Sequence, residues 1–331
     1  MNHSVLKGAL IGCGFFGRIQ AEAWSRIPDA RIVAACDPDP GRARSISPNA
    51  FADAAEMLSR VELDFVDIAT RPDSHLPLIR LAVERGLPVI CQKPLADSHE
   101  DARTIAALAA DSGILVTIHE NWRWQPWFRE AARLIHDGAI DTPICYQFRI
   151  RQRDGLGENA YPNQPYFREM PQLHIHETLV HPIDTARFFF GNISSVSARI
   201  RRLNPAIAGE DRALLLLTHQ SQVDGTVDGH RFLDPDPPGP AMGETRIEGY
   251  GGVLQIDATG EIRRNGAVLY SPPQPAVGYK GDSARAVQMH FLDCIRGLTQ
   301  PESSVDKYWN TFAAVQASYA SAACGKAIAI A

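Results

Sequence analysis

The feature that most constrains this chain is an apolar run, Val5 to Ile11, that leads directly into a glycine-rich turn and then into a segment with helical periodicity. The glycines of the turn are Gly12, Gly14 and Gly17. In a βαβ unit such glycines permit a tight turn, the close approach of a pyrophosphate, and close packing of helix on sheet. A second apolar run then ends at Asp37. The pattern predicts a dinucleotide site with the phosphates at the helix N-terminus.

The acidic residue after the second run indicates which dinucleotide is bound. The Asp37 carboxylate can accept hydrogen bonds from both ribose hydroxyls and would repel a 2′-phosphate, which favours NAD over NADP. Arg42 and Arg44 could approach such a phosphate, although solvated helix arginines are the simpler interpretation. The loop residues expected to line NAD are Gly12, Cys13, Gly14, Phe15, Phe16 and Gly17.

Composition narrows the class of protein. The 331 residues exceed one average domain, and the net charge of -5 gives no electrostatic reason to expect nucleic acid or an anionic membrane as a partner. No apolar stretch is long enough to span a bilayer, and no signal peptide precedes the first strand. The six cysteines include no CxxC pair, which favours reduced thiols over disulfides or zinc. We therefore expect a cytoplasmic enzyme of two domains.

The distribution of apolar runs predicts both domains. Strand-like and helix-like segments alternate to about residue 121, which indicates an α/β Rossmann domain over residues 1–121. Residues 122–331 contain strand-like stretches separated by turn signals, which predicts an α+β domain with a large, mainly antiparallel sheet. Those stretches are Ile144–Ile150, Val196–Arg201, Ala213–His219, Thr245–Glu248, Val253–Asp257 and Glu261–Arg264.

Three further segments carry a resemblance to a known family. They are DIATRPDSH (67–75), QKPLA (92–96) and ETLVHPIDTARFFFG (177–191). With the glycine turn they follow the order and spacing of the Gfo/Idh/MocA oxidoreductases, and the resemblance covers nearly the whole chain. It implies an NAD(P)-dependent oxidoreductase that acts on CH–OH groups of a small sugar and assembles as a homodimer or homotetramer.

The family usually has Glu-Lys-Pro where this chain has Gln92, Lys93 and Pro94. The resemblance implies that Lys93 lies beside the nicotinamide and binds the substrate hydroxyl. A fixed ammonium suits that place because loss of hydride builds negative charge on the oxygen. Gln92, which we also expect at the cofactor, keeps a hydrogen bond but not the charge. Without the resemblance, Lys93 would be read as a surface lysine in a turn.

A histidine-rich segment follows, and a metal site there is excluded. A zincin HExxH motif starting at His176 needs its second histidine at position 180, which is Val180 here. His181 is five residues from His176, which rotates the two rings far apart on a helix. We therefore predict no metal, and we expect His174 and His176 to line a pocket or to be hydrogen-bonded in a loop.

Glu177 and His181 are four residues apart and can share a helix face. They match the family's Asp-x-x-x-His, which implies His181 as general base and Glu177 as a residue that binds or orients the substrate. A histidine suits that role because its ordinary pKa lies near neutral pH. Pro182 fits the first turn of a helix, so we expect a helix to start close to these residues.

Other candidates follow from position. The resemblance implies that the loop after the third strand passes the nicotinamide ribose, with simple turn chemistry as the alternative; its residues are Thr70, Pro72 and His75. Polar and aromatic residues past the Rossmann half are candidates to hold a sugar, with a core role for a tryptophan as the alternative. These are Asn121, Trp122, Arg123 and, from the next strand, Arg149.

Taken together, the sequence predicts an NAD-dependent sugar dehydrogenase. Two alternatives remain open. One is an NAD-using glycoside hydrolase of the same family, which recycles the hydride. The other is a sugar- or nucleotide-sensing protein on the same scaffold, although the presence of both Lys93 and His181 argues against it.

Overall fold

The computed structural model describes residues 4–274 and 277–330. The chain forms two compact units. The first combines the residues up to Asn121 with Asp282–Trp309. The second combines Trp122–Gly281 with the residues from Asn310 onward.

The strands of the described ranges form two sheets. The first sheet has the order β3-β2-β1-β4-β5-β6 and is parallel throughout. Its strands are β1 (Leu6–Ile11), β2 (Ala30–Cys36), β3 (Ala50–Phe51), β4 (Phe65–Ile68), β5 (Val89–Gln92) and β6 (Val116–His119). This is the doubly wound strand order of dinucleotide-binding folds. The order of the strands along the sheet, not their direction, reverses between β1 and β4.

The second sheet has the order β14-β13-β12-β11-β7-β10-β9-β8-β15. Its strands are β7 (Pro143–Arg151), β8 (Ile193–Arg201), β9 (Arg212–His219), β10 (Asp224–His230), β11 (Gly243–Gly249), β12 (Gly252–Ile256), β13 (Ile262–Arg264), β14 (Ala267–Tyr270) and β15 (Ile328–Ala329). The pairing is antiparallel except for β7 with β10. The predicted fold class, a Rossmann domain followed by a mainly antiparallel α+β domain, is confirmed.

The described ranges also contain α-helices. They are α1 (Phe15–Ser25), α2 (Pro40–Ile46), α3 (Ala54–Arg60), α4 (His75–Val83), α5 (His99–Ser112), α6 (Pro126–His136), α7 (Val180–Phe190), α8 (Ser283–Ile295) and α9 (Val305–Cys324). A π-helical turn, Ile175–Leu179, directly precedes α7. Within the described ranges, no helix combines the length and the apolar character needed to cross a membrane.

Strand β10 lies in the centre of the second sheet, yet sequence analysis does not predict it. Its sequence, DGTVDGH, has no apolar run. A Cβ at Gly225 would lie 2.1 Å from the Tyr146 ring on the neighbouring strand, so the position excludes any side chain. Glycine is disfavoured in strands, so its presence here hides the strand from a prediction based on β propensity. Strands β14 and β15 are also missing from the sequence prediction.

The structure corrects the expectation that residues 122–331 form one continuous second domain. Helix α8 belongs to the first unit, where Phe291 packs edge-on against Phe65 with ring centroids 5.7 Å apart. Gln288 Nε2 also donates to the backbone oxygen of Gln20 on α1, at 3.1 Å. An amphipathic pattern predicts a helix but not which core its apolar face joins, so this correction needs the tertiary structure.

A buried carboxyl group links α1 to the centre of the first sheet. Asp67 on β4 has no exposed surface and accepts hydrogen bonds from Trp24 Nε1 at 2.6 Å and Gln20 Nε2 at 3.1 Å. Burial raises the pKa of Asp67 from its ordinary value of 3.8 to about 7, against the opposing effect of the Trp24 hydrogen bond. The folded protein therefore holds this proton more tightly than the unfolded chain.

We expect Asp67 to make stability depend on pH. A raised carboxyl pKa contributes stability that is full below the unfolded pKa of about 4 and is lost as pH rises through the folded value of about 7. In Asp67→Asn, rotation of the Gln20 amide can supply the acceptor that the introduced NH₂ group needs. The thermal midpoint of this variant should therefore fall less between pH 5 and pH 8 than that of the wild type.

The matched control is Asp111→Asn, which neutralises an exposed carboxylate on α5 and should leave the pH dependence of the midpoint unchanged. Identical pH profiles for the wild type and Asp67→Asn would contradict the role of Asp67.

Candidate active site

The glycine turn has the geometry of a dinucleotide loop. Gly12 has φ +92°, and a Cβ there would lie 2.6 Å from the Ala69 carbonyl oxygen. A Cβ at Gly17 would lie 2.0 Å from the Gly12 oxygen, so α1 packs directly against the end of β1. A Cβ at Gly14, just before α1, would meet no atom within 4 Å. The helix N-terminus therefore opens onto free space, as a pyrophosphate requires.

The Asp37 carboxylate is fixed at the end of β2. Its Oδ2 accepts from the backbone N–H of Cys13 at 2.8 Å, and its Oδ1 accepts from the N–H of Asp39 at 2.9 Å. The Cys13 thiol is fully buried, and burial raises its pKa to about 12. Cys13, a predicted cofactor contact, therefore uses its N–H to position Asp37, and its side chain belongs to the core.

Lys93 begins the turn after β5 and is half-buried. Gln92 Oε1 accepts from the backbone N–H of Lys93 at 2.8 Å, which fixes the direction in which the chain leaves the strand. The Lys93–Pro94 peptide bond is cis. Gln92 thus retains a hydrogen-bonding role beside Lys93 without an added charge.

His75, a predicted cofactor contact, packs its side chain beneath the surface against the turn after β5. Its side chain has no exposed surface, and its two ring nitrogens lie 3.3 Å from the carbonyl oxygens of Leu95 and Thr70. Burial lowers the pKa of His75, against the raising effect of these two backbone contacts. His75 joins the loop after β4 to the turn after β5. Thr70 is half-buried, and Pro72 is a buried residue that starts a short 3₁₀ turn.

In the second unit, His181 is the second residue of α7, and the predicted helix start beside Pro182 is observed. The His181 ring stacks on Trp122, with centroids 4.9 Å apart and planes 1° apart. The Trp122 side chain is only 2% exposed. The face that sequence analysis offered to a sugar ring is therefore occupied by the imidazole, and Trp122 orients His181 instead.

The helical segment that leads to His181 starts inside the protein, and Glu210 provides for its free N–H groups. The Glu210 carboxylate accepts from the N–H groups of Leu173 at 3.1 Å and Ile175 at 2.9 Å. The N–H of His174 donates to the Glu210 backbone oxygen at 3.2 Å. Glu210 therefore takes up three of the donors that a helix start leaves without partners.

Tyr319 completes this arrangement. Its hydroxyl accepts from the N–H of His176 at 3.2 Å and donates to Glu210 Oε1 at 2.6 Å. Glu210 itself is 4% exposed. The buried acid and the tyrosine together fix where the helical segment begins.

The predicted acid, Glu177, lies in the π-helical turn before α7 and is 5% exposed. Single π-helical turns are rare and are often found at functional sites. His174, in the same segment, packs over Gly229, where a Cβ would lie 2.6 Å from its Nε2. Burial, with the Arg231 cation as a second cause, lowers the pKa of His174 well below its ordinary value. His174 is therefore a neutral buried residue.

The structure shows where three predicted substrate contacts lie, and two of them have partners within the protein. Arg123 is buried, and its Nε and Nη2 each donate to a carboxylate oxygen of Asp184 at 2.7 Å. The Nδ2 of Asn121, a residue 1% exposed, donates to Ser283 Oγ at 2.7 Å. Arg149 lies on the sheet face opposite to the buried Phe148, as strand alternation requires. The Arg123 guanidinium and the Asn121 amide nitrogen are thus bound within the protein. Arg149, in contrast, is exposed and forms a surface ion pair with Glu244 at 3.6 Å.

Arg231 is a buried residue beside the π-helical turn that sequence analysis does not single out. It is 6% exposed, and its guanidinium donates to both carboxylate oxygens of Asp154 at 2.7 Å and to Thr178 Oγ1 at 2.5 Å. It also lies 5.0 Å from the Tyr161 ring centroid. Arg231 thus joins the loop after β7 to the π-helical turn.

Lys280 is the second missed residue. Its Nζ lies 5.5 Å from the centroid of the Trp122 ring that stacks on His181. Burial, with the Arg231 cation as the second cause, lowers the pKa of Lys280 from 10.5 to about 7. No motif marks this lysine in the sequence, because its neighbours come from distant segments.

Comparison with known proteins agrees with both units. The profile described as "Oxidoreductase family, NAD-binding Rossmann fold" matches residues 6–120. The profile described as "GFO/IDH/MocA C-terminal domain" matches residues 128–254.

Two relatives match almost the entire chain. D-apiose dehydrogenase of Paraburkholderia graminis is 36% identical over 97% of this chain and 89% of its own length. D-apiose dehydrogenase of Rhizobium rhizogenes is 33% identical over 100% of this chain and 99% of its own. A solved oxidoreductase from Agrobacterium radiobacter, in complex with NAD⁺, L-tartaric acid and magnesium, is 32% identical with TM-score 0.90 and covers 98% of each chain.

We expect Glu210→Ala to destabilise the second unit. The substitution leaves the N–H groups of Leu173 and Ile175 buried without their acceptor, which should lower the free energy of unfolding by at least about 2 kcal/mol in urea titrations. The matched control is Asp53→Ala, which removes an exposed cap whose carboxylate accepts from the N–H of Glu56 on α3, and should cost about 1 kcal/mol. A loss no larger than that of the control would show that Glu210 is dispensable.

Proposed function

The chain belongs to the Gfo/Idh/MocA oxidoreductase family, and on that basis we propose that it oxidises D-apiose at the anomeric carbon to the lactone. That it is an NAD-dependent oxidoreductase acting on CH–OH groups follows from the family and from the two dehydrogenase relatives. The choice of sugar rests on one observation: both relatives are D-apiose dehydrogenases, and they match this chain over 97% and 100% of its length.

The residues of the chain fit NAD. The open space before α1 accommodates a pyrophosphate, and the fixed carboxylate of Asp37 can take up ribose hydroxyls. Arg42 is exposed and forms a surface ion pair with Asp39 at 3.5 Å, as expected for a solvated helix arginine. These features support NAD over NADP.

In the proposed reaction, two side chains act on the same substrate hydroxyl. Bound NAD supplies the hydride acceptor. His181 takes the hydroxyl proton, and Lys93 stabilises the negative charge that develops on the same oxygen. Glu177 lies on the same helical segment as His181 and assists in holding the substrate. The carbinol carbon loses a hydride, the oxygen loses a proton, and the product is a C=O group.

The activity is tested by incubating the protein with NAD and free pentoses or hexoses, D-apiose included, and following absorbance at 340 nm. We expect net NADH formation with D-apiose. A glycoside hydrolase that recycles its hydride gives no net NADH but cleaves a glycoside. A sensing protein produces neither result, although it binds a sugar or a nucleotide.

We also propose that the protein is a homodimer or homotetramer assembled through the outer face of the second sheet. Leu214 and Leu216 on β9 are 42% and 48% exposed on that face, which supports an apolar contact there. Light scattering measures the oligomeric state. A monomer at micromolar concentration would contradict this proposal.

We further propose a cytoplasmic location. All six cysteines lie in the described ranges and none forms a disulfide, which suits a reducing compartment.

The proposed role of Asp37 predicts the effect of Asp37→Ser. The variant should bind NAD less tightly and tolerate NADP better, because the hydrogen bonds to the ribose and the repulsion of the 2′-phosphate are both lost. We expect the ratio of specificity constants, NAD over NADP, to fall at least about tenfold, which corresponds to about 1.4 kcal/mol. An unchanged ratio would show that Asp37 does not hold the ribose.

The roles of His181 and Lys93 predict different pH profiles. In the wild type, sugar oxidation should rise with pH through one ionisation between about pH 6 and pH 8. His181→Asn should lose this rise. Lys93→Met should keep it while turnover falls about a hundredfold and NAD binding stays intact. Lys280→Met is a control, because it removes another side chain whose pKa is about 7. This variant should also keep the rise with pH.

The opposite result, in which the rise survives in His181→Asn and disappears in Lys93→Met, would reverse the two roles. A near-normal turnover in Lys93→Met would remove Lys93 from the chemistry.

A further inference from the structure

Lys280 is a cationic side chain that the proposed reaction does not use. It is half-buried, and its Nζ lies 5.5 Å from the centroid of Trp122 and 5.8 Å from that of Tyr279. Within residues 4–274 and 277–330 its ammonium has no hydrogen bond and no ion pair. Its three N–H donors can therefore serve a ligand that lies beside these two rings.

The backbone holds Lys280 in an uncommon conformation. Lys280, Gly281 and Asp282 have φ values of 46°, 71° and 64°, three consecutive residues in the left-handed region. Gly281 is packed so closely that a Cβ would lie 2.6 Å from Pro126 Cδ. Left-handed backbone at residues other than glycine costs free energy and persists where the surrounding structure imposes it. The conformation of this turn therefore fixes the backbone position from which the Lys280 side chain extends.

The neighbouring cation does not compete for the same role. The Arg231 guanidinium uses three of its five N–H donors in hydrogen bonds to Asp154 and Thr178. Lys280 has three donors and contacts two aromatic rings instead. The Trp122 ring also stacks on His181, so Lys280 and the proposed base lie near the same indole ring.

We propose that Lys280 is a specificity-determining residue that donates a hydrogen bond to a substrate hydroxyl other than the one that is oxidised. The inference rests on the proposed function and extends it, because it assigns recognition of a second oxygen to a residue outside every motif. In this arrangement His181 contacts the reacting hydroxyl and Lys280 contacts the other. Sugars that lack this second hydroxyl should be poor substrates.

The test compares Lys280→Met with the wild type on the best sugar of the 340 nm screen and on monodeoxy analogues of it. Methionine has nearly the volume of lysine without its donors, so we expect a folded variant. We expect kcat/KM for the parent sugar to fall about tenfold or more, chiefly through KM, while KM for NAD stays unchanged. One deoxy analogue should be a poor substrate for the wild type and no worse than the parent sugar for the variant.

Two further variants separate recognition from structure. Lys280→Arg keeps the charge and the donors and should recover part of the lost specificity constant. Lys326→Met removes an exposed lysine and should leave all constants unchanged. An unchanged KM in Lys280→Met, or an equal loss on the parent sugar and on every deoxy analogue, would overturn the inference.

The panel also includes the aldonic acids of the same sugars, with binding to the NAD-loaded protein measured by calorimetry. If the protein binds or oxidises a sugar acid and not the neutral sugar, and Lys280→Met loses that ligand, Lys280 recognises a carboxylate, and both the hydroxyl contact and the proposed neutral substrate are wrong. If the wild type binds no member of the panel, the inference falls together with the proposed function. If the neutral sugar is oxidised and Lys280→Met does not change the kinetic constants, the proposed function stands and only the inference about Lys280 is wrong.

Discussion

The arrangement of the second unit depends on the need to satisfy a helix N-terminus that is buried. The segment from Leu173 to His181 enters α7 through a π-helical turn, and its first N–H groups have no partners within the helix. Glu210 and Tyr319 supply the acceptors. Because this arrangement fixes the start of the helical segment, it also fixes the position of His181 against Trp122. A buried acid far from the proposed chemistry therefore controls the geometry of the proposed base.

The parts of the site that sequence analysis predicts are those whose chemistry is local. The glycine turn and Asp37 have their roles within one βαβ unit, so spacing alone locates them, and the structure shows the expected steric limits at Gly12 and Gly17. The fold class follows for the same reason, since alternation of strands and helices is visible along the chain. Lys93 and His181 are identified through the family resemblance, and their roles await experiment.

The parts that sequence analysis misses depend on contacts between distant segments. Sequence analysis singles out none of Glu210, Arg231 and Lys280, and the contacts cited for them join residues at least 35 positions apart. The opposite error also occurs: Arg123 and His75 have residue types suited to binding, yet the structure uses their polar atoms internally. Polar residue type indicates a capacity for hydrogen bonds, but only the tertiary structure shows which partner takes them.

The discontinuous first unit has a consequence for the order in which the protein is made. Helix α8 covers α1, but the 160 residues from 122 to 281 must be synthesised between the Rossmann strands and that helix. At typical elongation rates this takes on the order of ten to thirty seconds. During that interval the nascent chain has its dinucleotide loop while the surface that Phe291 later covers is still open to water. Completion of the first unit therefore depends on the ribosome finishing nearly all of the second, which makes a chaperone that shields nascent apolar surface useful to this topology.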